Sequence, residues 1–296
     1  MEGEESMKPV PFDYYAPTSS AEALERLTEL GYNGKVLAGG QSLIPAMNFR
    51  MARPAALVDL NRVPELAFIR PAADGSVALG TMTRVAAVEK NAEVTKRFPL
   101  LAEVMPNIAH TQIRARGTFG GAIAHADPAG QLPSIALALN ANLKLMKKGG
   151  ERWVNIEDFF MGPFMTVIEP EEMLTEVVLP ALPAKTGTSY MQVSRQRGGY
   201  SMAAVATLVS VDAAGKCQRV RMALISVGDT PMLSQAASKI LVGQKVTQEA
   251  AREVAEIAAK SECDPGTDVH ATAEYRRHLV RVLVEQSLLA AYERAR

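Results

Sequence analysis

The sequence predicts an α+β chain with segregated helices and strands, on three observations. A helix alternates with short apolar strands over residues 11–60, and short strands with broken helices follow over 61–180. The remainder, 181–296, reads as three strands and then three helices. Runs of strands followed by runs of helices argue for segregation rather than a doubly wound sheet. The proline-bounded stretch Pro180-Ala-Leu-Pro183 marks the main domain boundary. Four parts result: a flexible extension over 1–10, one lobe over 11–60, a second over 61–180, and a C-terminal sheet with a helix bundle over 181–296.

Residues 11–17 (PFDYYAP) read as a short strand ending in a turn. Ser19 or Ser20 caps a helix over 21–30, whose Leu24, Leu27 and Leu30 share one face. A strand over 36–38 runs into Gly39-Gly40 and then an apolar segment over 43–51, with Pro45 in its first turn. Residues 57–60 (LVDL) form a buried strand. Strands over 67–70, 76–80 and 82–83 surround the Asp74-Gly75 turn. Helices are expected over 85–91 and 92–105, the second broken at Pro99, and 108–114 leads into a second glycine-rich stretch. A helix over 131–140 is followed by strands over 141–147 and 152–156 joined at Gly149-Gly150, a brief helix over 158–161, and a strand over 173–179. Past the boundary, strands over 188–195, 203–211 and 218–227 precede helices over 232–241, 247–259 and 272–292. No repeat or low-complexity segment interrupts the chain.

Composition narrows the function. Apolar residues make up 48% of 296, enough for a sizeable core. Lys+Arg and Asp+Glu are both 32, so the basic surplus that phosphate backbones demand is missing, which argues against nucleic acid. There is no apolar run of about 18 residues to span a membrane. The first residues, MEGEESMKPV, are acidic and lack the apolar core of a secretory signal, so a cytoplasmic location is expected. Two cysteines, Cys217 and Cys263, are too few for an iron–sulfur cluster, which needs about four thiolates. Four histidines show no metal-ligand spacing.

Two stretches carry chemistry. In KVLAGGQSLIPAMNFR (35–50), a strand runs into glycines and small polar residues, the pattern of a backbone cradle for phosphate. On pattern alone a plain strand-to-helix turn competes with that reading. RARGTFGGAIAHADPAGQLP (114–133) repeats the theme with Gly117, Thr118, Gly120 and Gly121. Two such nests, roughly 80 residues apart, can close on one diphosphate from both sides. Neither carries the Walker ending or the dinucleotide G-x-G-x-x-G fingerprint.

Ala38–Ser42 (AGGQS) with Thr118–Ala122 (TFGGA) resembles the FAD-binding subunit of molybdenum hydroxylases, whose usual forms are Ala-Gly-Gly-His/Gln-Ser and Thr-Ile/Val-Gly-Gly-Asp/Asn. The likeness runs from about Val10 to about Leu289. It implies a two-lobed FAD-binding domain of the vanillyl-alcohol oxidase/PCMH type, then a small three-stranded antiparallel sheet with a three-helix bundle. It implies FAD as cofactor, with the diphosphate and ribityl chain held by Leu37, Ala38, Gly39, Gly40, Gln41, Ser42, Leu43, Ile44, Gly117, Thr118, Gly121, Ala122 and Ile123. Ile108 and Ala109 match positions beside the adenine and diphosphate, Leu174 one that packs on the flavin, and Tyr200 one that covers a flavin face. Two positions depart from the family: Ala122 replaces Asp or Asn, and Gln131 stands where Asp is frequent. The relatives with an inserted cluster in this subunit are disfavoured by the cysteine count.

The family implies a large molybdenum-cofactor subunit and a small subunit with 2Fe–2S clusters as partners, two such three-chain units pairing, and NAD, a quinone or another acceptor. This chain itself is then expected to hold no catalytic residue and no metal. His125 and Asp127 could form an acid–base pair, but orienting the second nest suits them better. Arg195 and Arg197 fit either the flavin or a surface. Two rival readings are a free-standing FAD-dependent oxidase or reductase, and a non-catalytic diphosphate-binding assembly protein.

Overall fold

Ser19 starts the first helix as its sequence predicts: its hydroxyl accepts from the Glu22 amide at 3.2 Å. The structure, a computed structural model, describes residues 8–296, so most of the expected extension lies outside the described residues. Helix α1 (Ser20–Leu30) buries Ala23, Leu24 and Leu27 against a three-stranded parallel sheet of β1 (Asp13–Tyr15), β2 (Gly34–Leu37) and β3 (Ala56–Asp59). β3 lies between the other two, and all four of its residues are buried. The link from β2 to β3 is the first glycine stretch and α2 (Leu43–Asn48). Each fully buried Leu or Val here contributes about 1.5–3 kcal/mol.

The second sheet has five antiparallel-paired strands. Its order is β4 (Ile69–Pro71), β5 (Val77–Gly80), β10 (Met173–Leu179), β6 (Asn142–Lys147) and β7 (Gly150–Asn155). The segment between β5 and β6 is helical: α3 (Val85–Lys90), α4 (Ala92–Arg97), α5 (Pro99–Val104), α6 (Thr111–Arg116), α7 (Phe119–His125) and α8 (Gln131–Ala138). Pro99 divides α4 from α5, because it restricts the preceding Phe98 to non-helical angles. A small hairpin, β8 (Phe160–Gly162) and β9 (Met165–Thr166), precedes β10.

The C-terminal sheet runs β11 (Thr186–Ser194), β12 (Ser201–Val211), β13 (Cys217–Ile225) and β14 (Met232–Leu233), all antiparallel. Its strands alternate between two cores. Ala204, Ala206 and Leu208 face the helices of the second lobe, whereas Ala203, Val205 and Val209 face α9 (Gln235–Leu241), α10 (Gln248–Ile257) and α11 (Ala273–Ala295). Polar ties reinforce the first face. Arg221 donates to the Leu137 and Ala138 carbonyls at the end of α8, and Glu103 accepts from Thr188, the Tyr190 amide and Arg294.

Four local expectations change. Residues 82–83 turn instead of extending, held by the Met82 amide on Leu66 O and the Thr83 amide on Gly80 O. The brief helix over 158–161 is a 3-10 turn, Ile156–Asp158, running into β8. The helix expected from 232 starts at Gln235, where Ser234 caps it, and Met232–Leu233 instead pairs with Leu224 and Ala223 as a fourth, edge strand. The lead-in to the second glycine stretch and the stretch itself, given no helix by the sequence, carry α6 and α7.

Candidate functional site

The first glycine stretch leaves β2 at Leu37. Gly40 has φ +73°, a left-handed turn that a side chain disfavours, and the Ile44 amide closes the turn on Gly40 O at 3.2 Å. The amides of Gly39, Gly40, Gln41 and Ser42 have no acceptor among the described residues. Successive unpartnered amides of this kind form an anion-binding concavity. Gln41 turns its side-chain amide back onto Gly39 O at 3.0 Å. Ala38, Leu43 and Ile44 are half-buried beside it.

The second stretch uses its amides internally. Thr118, 2% exposed, caps α7 by accepting from the Gly121 amide at 3.1 Å. The Phe119 and Gly120 amides donate to the carbonyls of Thr83 and Thr81, at 2.9 and 3.1 Å, and Ala122 donates to Thr118 O at 3.1 Å. A Cβ on Gly120 would lie 2.0 Å from the Thr81 hydroxyl, so this glycine is required by packing. Both stretches were expected to offer donors. The structure concentrates unpartnered amides in the first, and the second presents glycine surface and a capped helix start.

The two stretches touch. A Cβ on Gly121 would sit 3.1 Å from the Ala38 Cβ, and Gln41 lies across from Gly117. Two residues that the sequence did not mark bracket them from behind. Asn61 donates to Ala38 O at 2.9 Å, and Arg84 donates both to Asn61 Oδ1 at 2.6 Å and to the Arg116 carbonyl. Asp59 orients Asn61 by accepting its backbone amide at 2.8 Å, while taking the Tyr14 hydroxyl on its other oxygen. The bracket places a guanidinium behind a pair of loops suited to an anion.

The remaining residues divide into two groups. Around the open side, Ala109 (φ +44°) and Ile108 are half-buried, and Gly198 packs so closely that a Cβ would lie 2.7 Å from Ala109 O. That contact brings the β11–β12 turn, with Tyr200, to the Ile108–Ala109 segment. Tyr200 is 65% exposed, yet its phenol is pushed up to about 12, first by desolvation and then by the Asp127 carboxylate beside it. Asp127 Oδ1 accepts from the Ala129 amide at 2.9 Å. Burial pulls the His125 imidazole below its ordinary value, which keeps it neutral at pH 7, and its ring lies 5.1 Å from that of Phe164. Arg195 and Arg197 are exposed, and Arg197 borders an open depression of about 560 Å³ with Pro106, Asn107 and Gln192.

The second group is internal. Ile123 is fully buried and Leu174 is 4% exposed, both in the main core. Gln131 is buried at the start of α8 and donates to Asn107 O at 3.4 Å. These three lie in the interior rather than on the open surface beside the glycine stretches. Among the described residues, no group of three or more His, Cys, Asp or Glu could hold a metal ion, and no helix is long and apolar enough to cross a membrane.

Comparison with known proteins identifies the fold. Residues 10–182 match the FAD binding domain in molybdopterin dehydrogenase, and residues 188–291 match the CO dehydrogenase flavoprotein C-terminal domain. The chain belongs to the family of FAD-binding subunits of molybdenum hydroxylases. It is 40% identical to the 6-hydroxypseudooxynicotine dehydrogenase complex subunit alpha of Paenarthrobacter nicotinovorans, over 98% of this chain and 97% of that one. It is 37% identical to the carbon monoxide dehydrogenase medium chain of Hydrogenophaga pseudoflava, over 97% and 99%. The solved carbon monoxide dehydrogenase of that organism superposes with a TM-score of 0.93 at 37% identity, covering 97% of this chain and 99% of that one. Quinoline 2-oxidoreductase from Pseudomonas putida 86 superposes at 0.90 with 32% identity, covering 97% and 99%.

Membership makes this an oxidoreductase subunit with FAD as its cofactor. The residues present fit that group. A diphosphate calls for clustered backbone donors, and the first stretch supplies the amides while Gly117 and Gly121 let the second stretch pack directly against it.

Proposed function

We propose that this chain is the FAD-carrying electron-transfer subunit of a molybdenum-containing hydroxylase or dehydrogenase complex. The observation that carries the reading is the run of unpartnered amides from Gly39 to Ser42, facing a second glycine surface in a chain of this family. On this reading, a large partner with the molybdenum cofactor oxidises the substrate, and a small partner with 2Fe–2S clusters delivers the electrons. NAD, a quinone or another acceptor removes them, and two three-chain units pair. Bound FAD supplies a ring that takes up electrons and releases them singly or in pairs.

This chain's residues bind and orient that group. The amides from Gly39 to Ser42 would solvate the diphosphate without adding mobile charge, and Arg84 braces the two loops through Asn61 and the Arg116 carbonyl. Ala38, Leu43 and Ile44 shield the diphosphate from water, with Gly117, Thr118, Gly121 and Ala122 opposite. Ile108 and Ala109 line the continuing cleft, and Tyr200 covers one face of the ring. Ile123, Gln131 and Leu174 support that wall from inside. The proposed parts are a lobe up to residue 60, a second lobe up to 180, and a C-terminal domain beyond.

Purification through a tag on this chain, under native expression, tests the reading. Two further chains should co-elute, one with 2Fe–2S absorption, and substrate should bleach the flavin only in that assembly. A chain that elutes alone with FAD and oxidises an organic substrate by itself would overturn it.

A further inference from the structure

Arg276, in the first turn of α11, is 6% exposed and lies far along the chain from the glycine stretches, yet of its guanidinium partners one lies close in sequence to Tyr200 and another is bonded to the Asp127 loop. One Nη donates to the Met202 carbonyl at 2.5 Å and to the Ser226 carbonyl at 3.2 Å, and the other donates to Asp268 at 2.8 Å. Met202 is two residues beyond Tyr200. Ser226 has φ +65°, and its amide donates to Pro128 O at 3.1 Å, one residue past Asp127. The Ser226 hydroxyl pairs with that of Ser201, the neighbour of Tyr200, at 2.9 Å. The buried cation ties the start of β12 to the residue after β13, just beyond the Ala204–Ile225 end of their ladder; the first adjoins Tyr200 and the second contacts the Asp127 loop.

The Nε of Arg276 is buried without a hydrogen-bond partner, so the polar interactions of the guanidinium run through its two Nη groups to Met202 O, Ser226 O and Asp268. Asp268 is itself pinned by the amides of His270 and Ala271, at 2.8 and 3.0 Å, so it presents a fixed anchor to the guanidinium.

We propose that Arg276 is the positioning residue for Tyr200, setting how that ring stands over the flavin from a helix of the C-terminal domain. The inference rests on the reading that Tyr200 borders the flavin. Removing the fork frees two main-chain carbonyls and lets the turn at 195–200 shift, while the glycine stretches that hold the diphosphate stay as they are.

The test uses FAD-loaded protein with Arg276→Met, Arg276→Lys, Tyr200→Ala and the Arg276→Met/Tyr200→Ala double variant. FAD content and the flavin midpoint potential are measured. Tyr200→Ala should shift the potential, Arg276→Met should shift it with FAD content unchanged, and the double variant should shift no further than Tyr200→Ala. If Arg276→Met does not fold, Arg276→Lys keeps the charge but lacks the planar fork and should still shift the potential. A shift in Tyr200→Ala with wild-type potentials in the folded Arg276 variants overturns the proposal alone. Wild-type potential in Tyr200→Ala removes the reading beneath it and the proposal together.

Discussion

A Cβ placed on Gly39 would lie 2.6 Å from the Cα of Gly117, and equally close to the Arg116 carbonyl oxygen, so the two glycine stretches meet main chain to main chain. Real Cβ atoms do not approach backbone that closely, so even an alanine at 39 must separate the loops. Gly39→Ala should weaken FAD binding by roughly thirtyfold, about 2 kcal/mol, and should also lower the melting temperature of the FAD-free protein, because the packed loops must part. Titration of that protein with FAD, followed by fluorescence, reads the difference.

The bracket behind the loops predicts coupling between residues 23 apart in sequence. Asn61→Leu and Arg84→Met should each weaken FAD binding. The double variant should lose less than the sum, by about 1 kcal/mol, because either change alone already breaks the Asn61–Arg84 bond. A double-mutant cycle on FAD affinity measures that figure.

Tyr200 faces Asp127, and desolvation and that carboxylate together hold the phenol protonated well above neutral pH. Tyr200→Phe should keep the ring and leave the visible flavin spectrum close to wild type, whereas Tyr200→Ala should alter its shape. Both should retain FAD, because the diphosphate is held elsewhere. Absorption spectra of the three proteins at equal FAD content decide this.

Much of this arrangement is legible in the sequence where the signal is local. Ser19 caps α1, Pro99 splits α4 from α5, and Gly39-Gly40 marks the loop that carries the unpartnered amides. The helix Phe119–His125 escapes because two glycines lower its intrinsic propensity, and packing of Gly120 on Thr81 overrides that deficit. Thr118, three residues before the Gly121 amide it caps, was the available signal. Asn61 and Arg84 escape for a different reason. Their roles depend on a meeting of the two lobes, and nothing within a local window marks either one. Ser234 explains the late start of α9 in the same terms as Ser19, but the strand preceding it is defined only by its pairing with β13.

Acid should weaken the fold in part through Glu172. Glu172 is 3% exposed, pairs with Arg152 through two contacts of 2.7 Å, and accepts the Glu169 amide at 3.0 Å. The Arg152 hydrogen bonds hold its carboxyl below the ordinary 4.5. A lowered folded-state value means that its contribution is complete above that ordinary value and fades as pH falls below it. Glu172→Gln should cost about 2 kcal/mol at pH 7, and the gap to wild type should narrow on acidification below the ordinary carboxylate range. Urea melts at several pH values measure the gap.

On the proposed function, the two glycine loops hold one diphosphate. The most direct measurement is the visible spectrum of the protein purified in its native assembly, with mass identification of the flavin released on denaturation. FAD in an amount equal to this chain is the predicted result. Release of FMN, which carries a single phosphate, or a protein with no flavin at all would contradict it.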